Sequence, residues 1–148
     1  MKYDITDFTG RQVTVSPRLA LYAVKDFMGT ELPGLAVILD DVTDPSEPEQ
    51  YAVLTVSFGE FIGMKNCAYI DTNNCDFADQ LQSQGLASDT GFYKASGFCK
   101  YPLWQFEEGT LRQIDNDVYQ KYSDAYDGYM ASMYGDEPDE DSIQEISL

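Results

Sequence analysis

Asp117-Val-Tyr-Gln-Lys-Tyr-Ser-Asp-Ala-Tyr-Asp-Gly-Tyr-Met-Ala-Ser-Met-Tyr134 carries the clearest structural signal in the chain. Tyr119, Tyr122, Tyr126, Tyr129 and Met133 follow one another at intervals of 3, 4, 3 and 4 residues. At about 100° per residue they share one stripe of a helix. Asp117, Asp124 and Asp127 fall on the other side. The stretch is therefore an amphipathic helix with a tyrosine face and an acidic face. Its tyrosines either pack on a sheet or stand exposed as a partner-binding surface, because tyrosine combines apolar area with a polar tip at low entropy cost.

Upstream the pattern changes to that of strands. Residues 11–15 alternate, Leu19–Lys25 and Leu35–Asp40 are short apolar runs, and Tyr51–Phe58 alternates again. Asp41-Val-Thr-Asp-Pro-Ser-Glu-Pro-Glu-Gln50 contains two prolines among its carboxylates and reads as a solvated hairpin loop. Asn66–Asp71 is a further strand, and Gly91–Phe106 supplies one or two more. Pro102 places the second of these at an edge or a bulge. Between them a short helix over 76–84 is expected. Asp76 is its candidate cap, and Gly85 ends it with Leu81 and Leu86 in contact.

The whole reads as one α+β domain over residues 1–134. It has a mostly antiparallel sheet of about five strands, a short helix and a longer C-terminal amphipathic helix. Beyond it, Asp136-Glu-Pro-Asp-Glu-Asp141 opens an acidic stretch, and residues 135–148 are expected to form a flexible tail.

Composition narrows the chemistry. The chain has 148 residues, 26 acidic against 9 basic, no histidine and a formal charge of −17. Residues 1–100 hold 14 acids and 7 bases, and residues 101–148 hold 12 acids and 2 bases, so the last third carries most of the imbalance. Such a charge opposes contact with nucleic acid or an anionic membrane. The absence of histidine removes imidazole acid–base chemistry and His-ligated metal sites. No signal peptide or membrane-spanning run is read from the sequence. Cys67, Cys75 and Cys99 fit neither a disulfide framework nor a zinc ribbon, and read as reduced thiols of a cytoplasmic protein.

Motif tests return little. Residues 71–82 have the outline of a calcium loop but place Asp76 where glycine is needed and Gln82 where a bidentate glutamate is needed. Phosphate-binding glycine loops and nucleophile elbows are missing. No cofactor, metal or catalytic residue is assigned. Trp104, the single tryptophan, reads as core or rim packing rather than a ligand platform.

Tyr51-Ala-Val-Leu-Thr-Val-Ser-Phe58, Ala68-Tyr-Ile-Asp-Thr-Asn-Asn74, Ser96-Gly-Phe98 and Tyr101-Pro-Leu-Trp-Gln-Phe106 resemble a family of small uncharacterised bacterial proteins, described only as a domain of unknown function. That family occurs in gut bacteria and their mobile elements. The similarity runs over roughly residues 35–125. It implies a compact α+β domain in a bacterial cytoplasm and transfers no site residue.

The expected role is non-catalytic binding of another protein, without direct contact to nucleic acid or membrane. The candidate contact residues are Asp117, Asp124, Asp127, Glu107, Glu108, Tyr122, Tyr126 and Tyr129. A specific form is DNA mimicry, in which carboxylates on successive helical turns meet the Lys and Arg of a basic DNA-binding protein such as a restriction or CRISPR enzyme. Other classes are a small carboxylate-dependent hydrolase and an assembly of several copies.

Overall fold

The computed structural model describes residues 1–135, so the acidic tail expected over 135–148 lies, Gly135 apart, outside the described residues. The fold is α+β. Its strands are β1 (Tyr3–Thr6), β2 (Gln12–Lys25), β3 (Glu31–Asp41), β4 (Glu49–Val53), β5 (Thr55–Val56), β6 (Cys67–Ile70), β7 (Ser88–Ser96) and β8 (Cys99–Gln105). Its helices are α1 (Ala78–Ser83) and α2 (Glu108–Tyr134). Two four-stranded antiparallel sheets, ordered β1-β2-β3-β4 and β5-β6-β8-β7, replace the single sheet of about five strands that the periodicity suggested.

The sheets meet inside the alternating run 51–58. Leu54 belongs to neither strand. Its N–H donates to the Val37 carbonyl of the first sheet, and its carbonyl accepts the Asp71 N–H just after β6. The run is therefore a corner, where the chain leaves one sheet for the other. Its side chain is fully buried between them.

The separate runs 11–15 and Leu19–Lys25 are one strand. Pro17 does not interrupt β2, because β1 pairs only with residues 12–15 and has ended before the proline. Pro102 follows the same logic. β8 is an inner strand, yet its pairing with β6 stops at Leu103, and β7 shifts register between Asp89 and Tyr93. The expected bulge is present, with Gly91 at φ 88° inside it. The freed Leu103 carbonyl accepts a bond from Thr90 Oγ1.

α1 starts at Ala78 with no side-chain cap, so Asp76 does not cap it. Asp71 organises the preceding turn instead, its carboxylate accepting from Asn74 and its carbonyl from Cys75. The C-terminus ends as expected. Gly85 takes φ 89°, its N–H bonds the Gln82 carbonyl, the Leu86 N–H bonds the Leu81 carbonyl, and both leucines are buried.

α2 begins nine residues before Asp117. Asp115 is extended (φ −163°, ψ 98°) and breaks it into two segments. The Asp115 carboxylate accepts the Val118 N–H, which caps the second segment. Arg112 holds the break together: its guanidinium reaches Glu108, Asn116 and Gln120 and lies 4.8 Å from the Tyr119 ring centroid.

Candidate functional site

The tyrosine stripe of α2 faces inward. Tyr119, Tyr122, Tyr126 and Tyr129 are all buried. Tyr122, Tyr126 and Tyr129 therefore do not form an exposed partner-binding face; their apolar area is spent on the two sheets. Tyr119 and Tyr122 close on Asn66, which holds the unusual φ of 66°. Tyr119 Oη donates to Asn66 Oδ1 at 2.8 Å, and the Asn66 N–H donates to Tyr122 Oη at 2.9 Å. Farther along, Tyr129 Oη donates to Asp26 Oδ2 at 2.6 Å in the β2–β3 turn. That bond, with the Thr30 and Met28 N–H groups, holds the Asp26 carboxyl below its ordinary range. It also raises the Tyr129 phenol to about 12.

The other expected contact residues stay at the surface. Asp117, Asp124, Asp127, Glu107 and Glu108 are exposed. They are not a bare row of charge. Lys65 pairs with Asp127 at 2.9 Å, Arg112 pairs with Glu108 at 2.7 Å, and Gln120 donates to Asp124.

Sequence reasoning passed over a second region, in which a cavity of about 50 Å³ lies between the ends of β2 and β3, β6 and the inner face of α2. Six aromatic rings line it: Tyr22, Phe58, Phe61, Tyr69, Tyr122 and Tyr126. Its outer wall is the segment 57–62, held at Lys25 by two backbone bonds, Lys25 N–H to Gly59 O and Phe61 N–H to Lys25 O. Gly59 takes φ 76° there, which a side chain would strain. The rings pack on one another: Phe61 lies 5.4 Å from Tyr126 and 4.8 Å from Tyr129, and Phe58 lies 5.5 Å from Tyr69 and 5.4 Å from Tyr101. Among the described residues Glu60 is the one charged residue in the lining, and Lys94 reaches it from β7 at 2.6 Å while lying 5.3 Å from the Phe58 centroid.

Glu60 thus joins two hairpins, β2–β3 through the bridge to Lys25 and β7–β8 through Lys94. Both carry aromatic or large apolar side chains in solvent: Phe27 (83% exposed) and Met28 on the first, Phe92, Tyr93 and Phe98 (108%) on the second. These positions were not signalled by periodicity, since hairpin turns and bulges interrupt it.

Cys67, Cys75 and Cys99 are free thiols. Burial raises Cys67 to about 11, and burial followed by the nearby Asp71 and Asp76 charges raises Cys75 to about 12. Only Cys99 is partly exposed. A disulfide-exchange reagent at neutral pH should therefore label one thiol of the native protein, at Cys99, and all three after unfolding. Mass spectrometry of labelled peptides reads the order; prompt labelling of Cys67 or Cys75 in the folded protein would contradict it. Among the described residues no group of Cys, Asp or Glu is placed to hold a metal ion, and no helix is long and apolar enough to cross a membrane.

Fold and surface together define a small α+β domain with an acidic exterior, a cavity lined by aromatic rings and exposed aromatic side chains on two hairpins. Residues 24–126 match the family described as a domain of unknown function (DUF4313), and the chain belongs to that family. The match starts at the end of β2 and runs into α2, somewhat wider than the region of resemblance in the sequence. No curated protein and no solved structure matches the chain.

Proposed function

We propose that the protein is a non-catalytic binding module of the bacterial cytoplasm that acts by contact with another protein. The observation that carries this reading is the group of large apolar side chains in solvent on the two hairpins joined at Glu60: Phe27, Met28, Phe92, Tyr93 and Phe98. Exposed apolar patches on a folded domain mark interaction sites, and aromatic residues dominate binding energy at them. β7 is also the outer strand of its sheet, so its backbone edge is open to a partner. The three free thiols support a reducing compartment.

The carboxyl groups support binding over hydrolysis. Among the described residues, each one whose pKa is displaced, Asp7, Asp26, Asp41 and Asp44, is displaced downward by hydrogen bonds. A general acid needs the reverse.

DNA mimicry is the second reading, favoured by Asp117, Asp124 and Asp127 standing exposed on α2 while its tyrosines are buried. The pairing of Asp127 with Lys65 and of Glu108 with Arg112 weakens it, because a mimic needs carboxylates free to meet a partner's cations.

Affinity capture from bacterial lysate separates the two. The baits are the full chain, a Phe27→Ser/Phe98→Ser variant and an Asp117→Asn/Asp124→Asn variant. Both substitutions sit at exposed positions, so melting temperature should hold. The expected result is a partner kept by the acidic-face variant and lost by the hairpin variant. Loss only from the acidic-face variant, with steep salt dependence and displacement by duplex DNA, would move the assignment to mimicry.

A further inference from the structure

We propose that residues 136–148 of this chain dock on the β7–β8 hairpin and cover the open edge of β7. The proposal rests on reading that hairpin as a binding surface, and a protein partner then binds by displacing the segment. Sheet edges offer unpaired N–H and C=O groups, and folded proteins cover such edges or keep them short. The other edges here follow that rule. α1 covers β1: Gln80 exchanges two bonds with the Thr6 backbone, and Gln84 donates to the Asp4 carbonyl. β4 has five residues and β5 has two. β7 has nine, seven of them exposed. Among the described residues no group from outside the hairpin bonds its backbone. Phe92, Tyr93 and Phe98 stand in solvent beside that edge.

Charge selects the occupant. Residues 136–148 carry six carboxylate side chains together with Ile143, Ile146 and Leu148. Residues 1–135 hold 20 acids and 9 bases, so most of the surface repels such a segment. Residues 90–106 hold Lys94 and Lys100 and no carboxylate. Lys94 is spent on Glu60 at 2.6 Å. Lys100 has no ion-pair partner among the described residues and lies 4.9 Å from the exposed Tyr93 ring. Residues 8–25 are also free of acids, but their Arg11 and Arg18 are paired with Asp41 and Asp40. Position agrees with charge. Met133, in the last turn of α2, packs against the cluster of Val24, Leu32 and Tyr129. Lys25 follows Val24 and bridges to Glu60, which holds Lys94 of β7. The segment therefore leaves α2 a few contacts from the edge it covers, and residues 136–142 alone reach about 24 Å when extended. Ile143 and Ile146 then meet the hairpin aromatics, with Glu145 near Lys100.

Carbodiimide coupling, which joins an amine to a carboxylate in contact, tests this on the full-length protein at low salt. The Glu60–Lys94 pair is the internal standard. Peptide mapping of the monomeric product should show carboxylates of residues 136–145 joined to Lys100, and about 0.5 M salt should remove that link. Hydrogen exchange gives a second reading. Amides of residues 88–96 should exchange about three- to tenfold faster in an Ile143→Ser/Ile146→Ser variant than in the native chain. A monomer that couples Glu60 to Lys94 but not the segment to Lys100 overturns the proposal. So does segment coupling confined to Lys2, Lys25 or Lys121, a Lys100 link found only between two molecules, or exchange unchanged in the variant. Neither measurement involves a partner. Failure here leaves the lysate capture to judge the hairpin as a partner site, and failure of that capture leaves the docked segment standing.

Discussion

Replacing Tyr119 by alanine should destabilise the protein by about 3–5 kcal/mol, a large share of the stability of a domain this size. The ring is fully buried, packs beside Tyr122 at 5.9 Å and carries the Arg112 guanidinium on its other side at 4.8 Å. Its removal leaves a void that the two sheets cannot collapse to fill. Tyr119→Phe isolates the hydroxyl. It keeps the packing but strips Asn66 Oδ1 of its donor, and the expected loss is about 1–3 kcal/mol. Urea unfolding of the two variants measures both steps. If Tyr119→Phe were as damaging as Tyr119→Ala, the packing argument would fail and the Asn66 clasp alone would hold α2.

The second large effect is alkaline. The fold should be lost cooperatively between about pH 9 and pH 12, ahead of free titration of its buried phenols and thiols. Cys67 is raised to about 11 and Cys75 to about 12. Tyr129 is raised to about 12 by its bond to Asp26, and burial raises Tyr122 and Tyr126. Each group keeps its proton in the folded chain above the pH at which the unfolded chain releases it. Its contribution is complete below the unfolded pKa, near 9 for the thiols and 10 for the phenols, and declines as pH rises toward the folded value. Circular dichroism and phenolate absorbance recorded together give the check. The two signals should change at one midpoint. Phenolate absorbance rising smoothly with secondary structure intact would show that the tyrosines titrate in the native state, contrary to their burial.

Much of this architecture is legible in the sequence, wherever one element has one environment. The 3-4-3-4 tyrosine spacing gives the buried face of α2, and the Gly85 terminus with Leu81 and Leu86 is correct to the residue. Trp104 is core, and the acidic loop after β3 is a hairpin connection. Reading fails where one element serves two neighbours. β2 buries Val13, Val15 and Leu19 toward the main core, then Val24, of opposite parity, toward the end of α2. A strand that changes its buried face looks like two strands. The run 51–58 looks like one strand and is two, because alternation does not reveal that Leu54 bonds to different sheets on its two sides. The first segment of α2 is hidden by the break at Asp115.

The candidate site is harder still. Carboxylates on α2 were visible as a pattern but carry internal partners that only geometry reveals. The six rings of the cavity come from β2, the 57–62 segment, β6 and α2, and no local spacing links them.

The corner at Leu54 also bears on how the chain acquires its structure. Leu54 is bonded to Val37 and to Asp71, each 17 residues away, so it closes two loops of equal, moderate length. Loop closure at that span carries a small entropic penalty, and the β2–β3 hairpin beside it is more local still. The most remote side-chain bond among the described residues is that of Tyr129 with Asp26, 103 residues apart, which ties α2 to the β2–β3 turn. Assembly can therefore spread outward from the middle of the chain, with β1 added through its short hairpin to β2 and α2 joining last. One residue shared by both sheets also leaves no seam between them, so neither sheet is an autonomous folding unit.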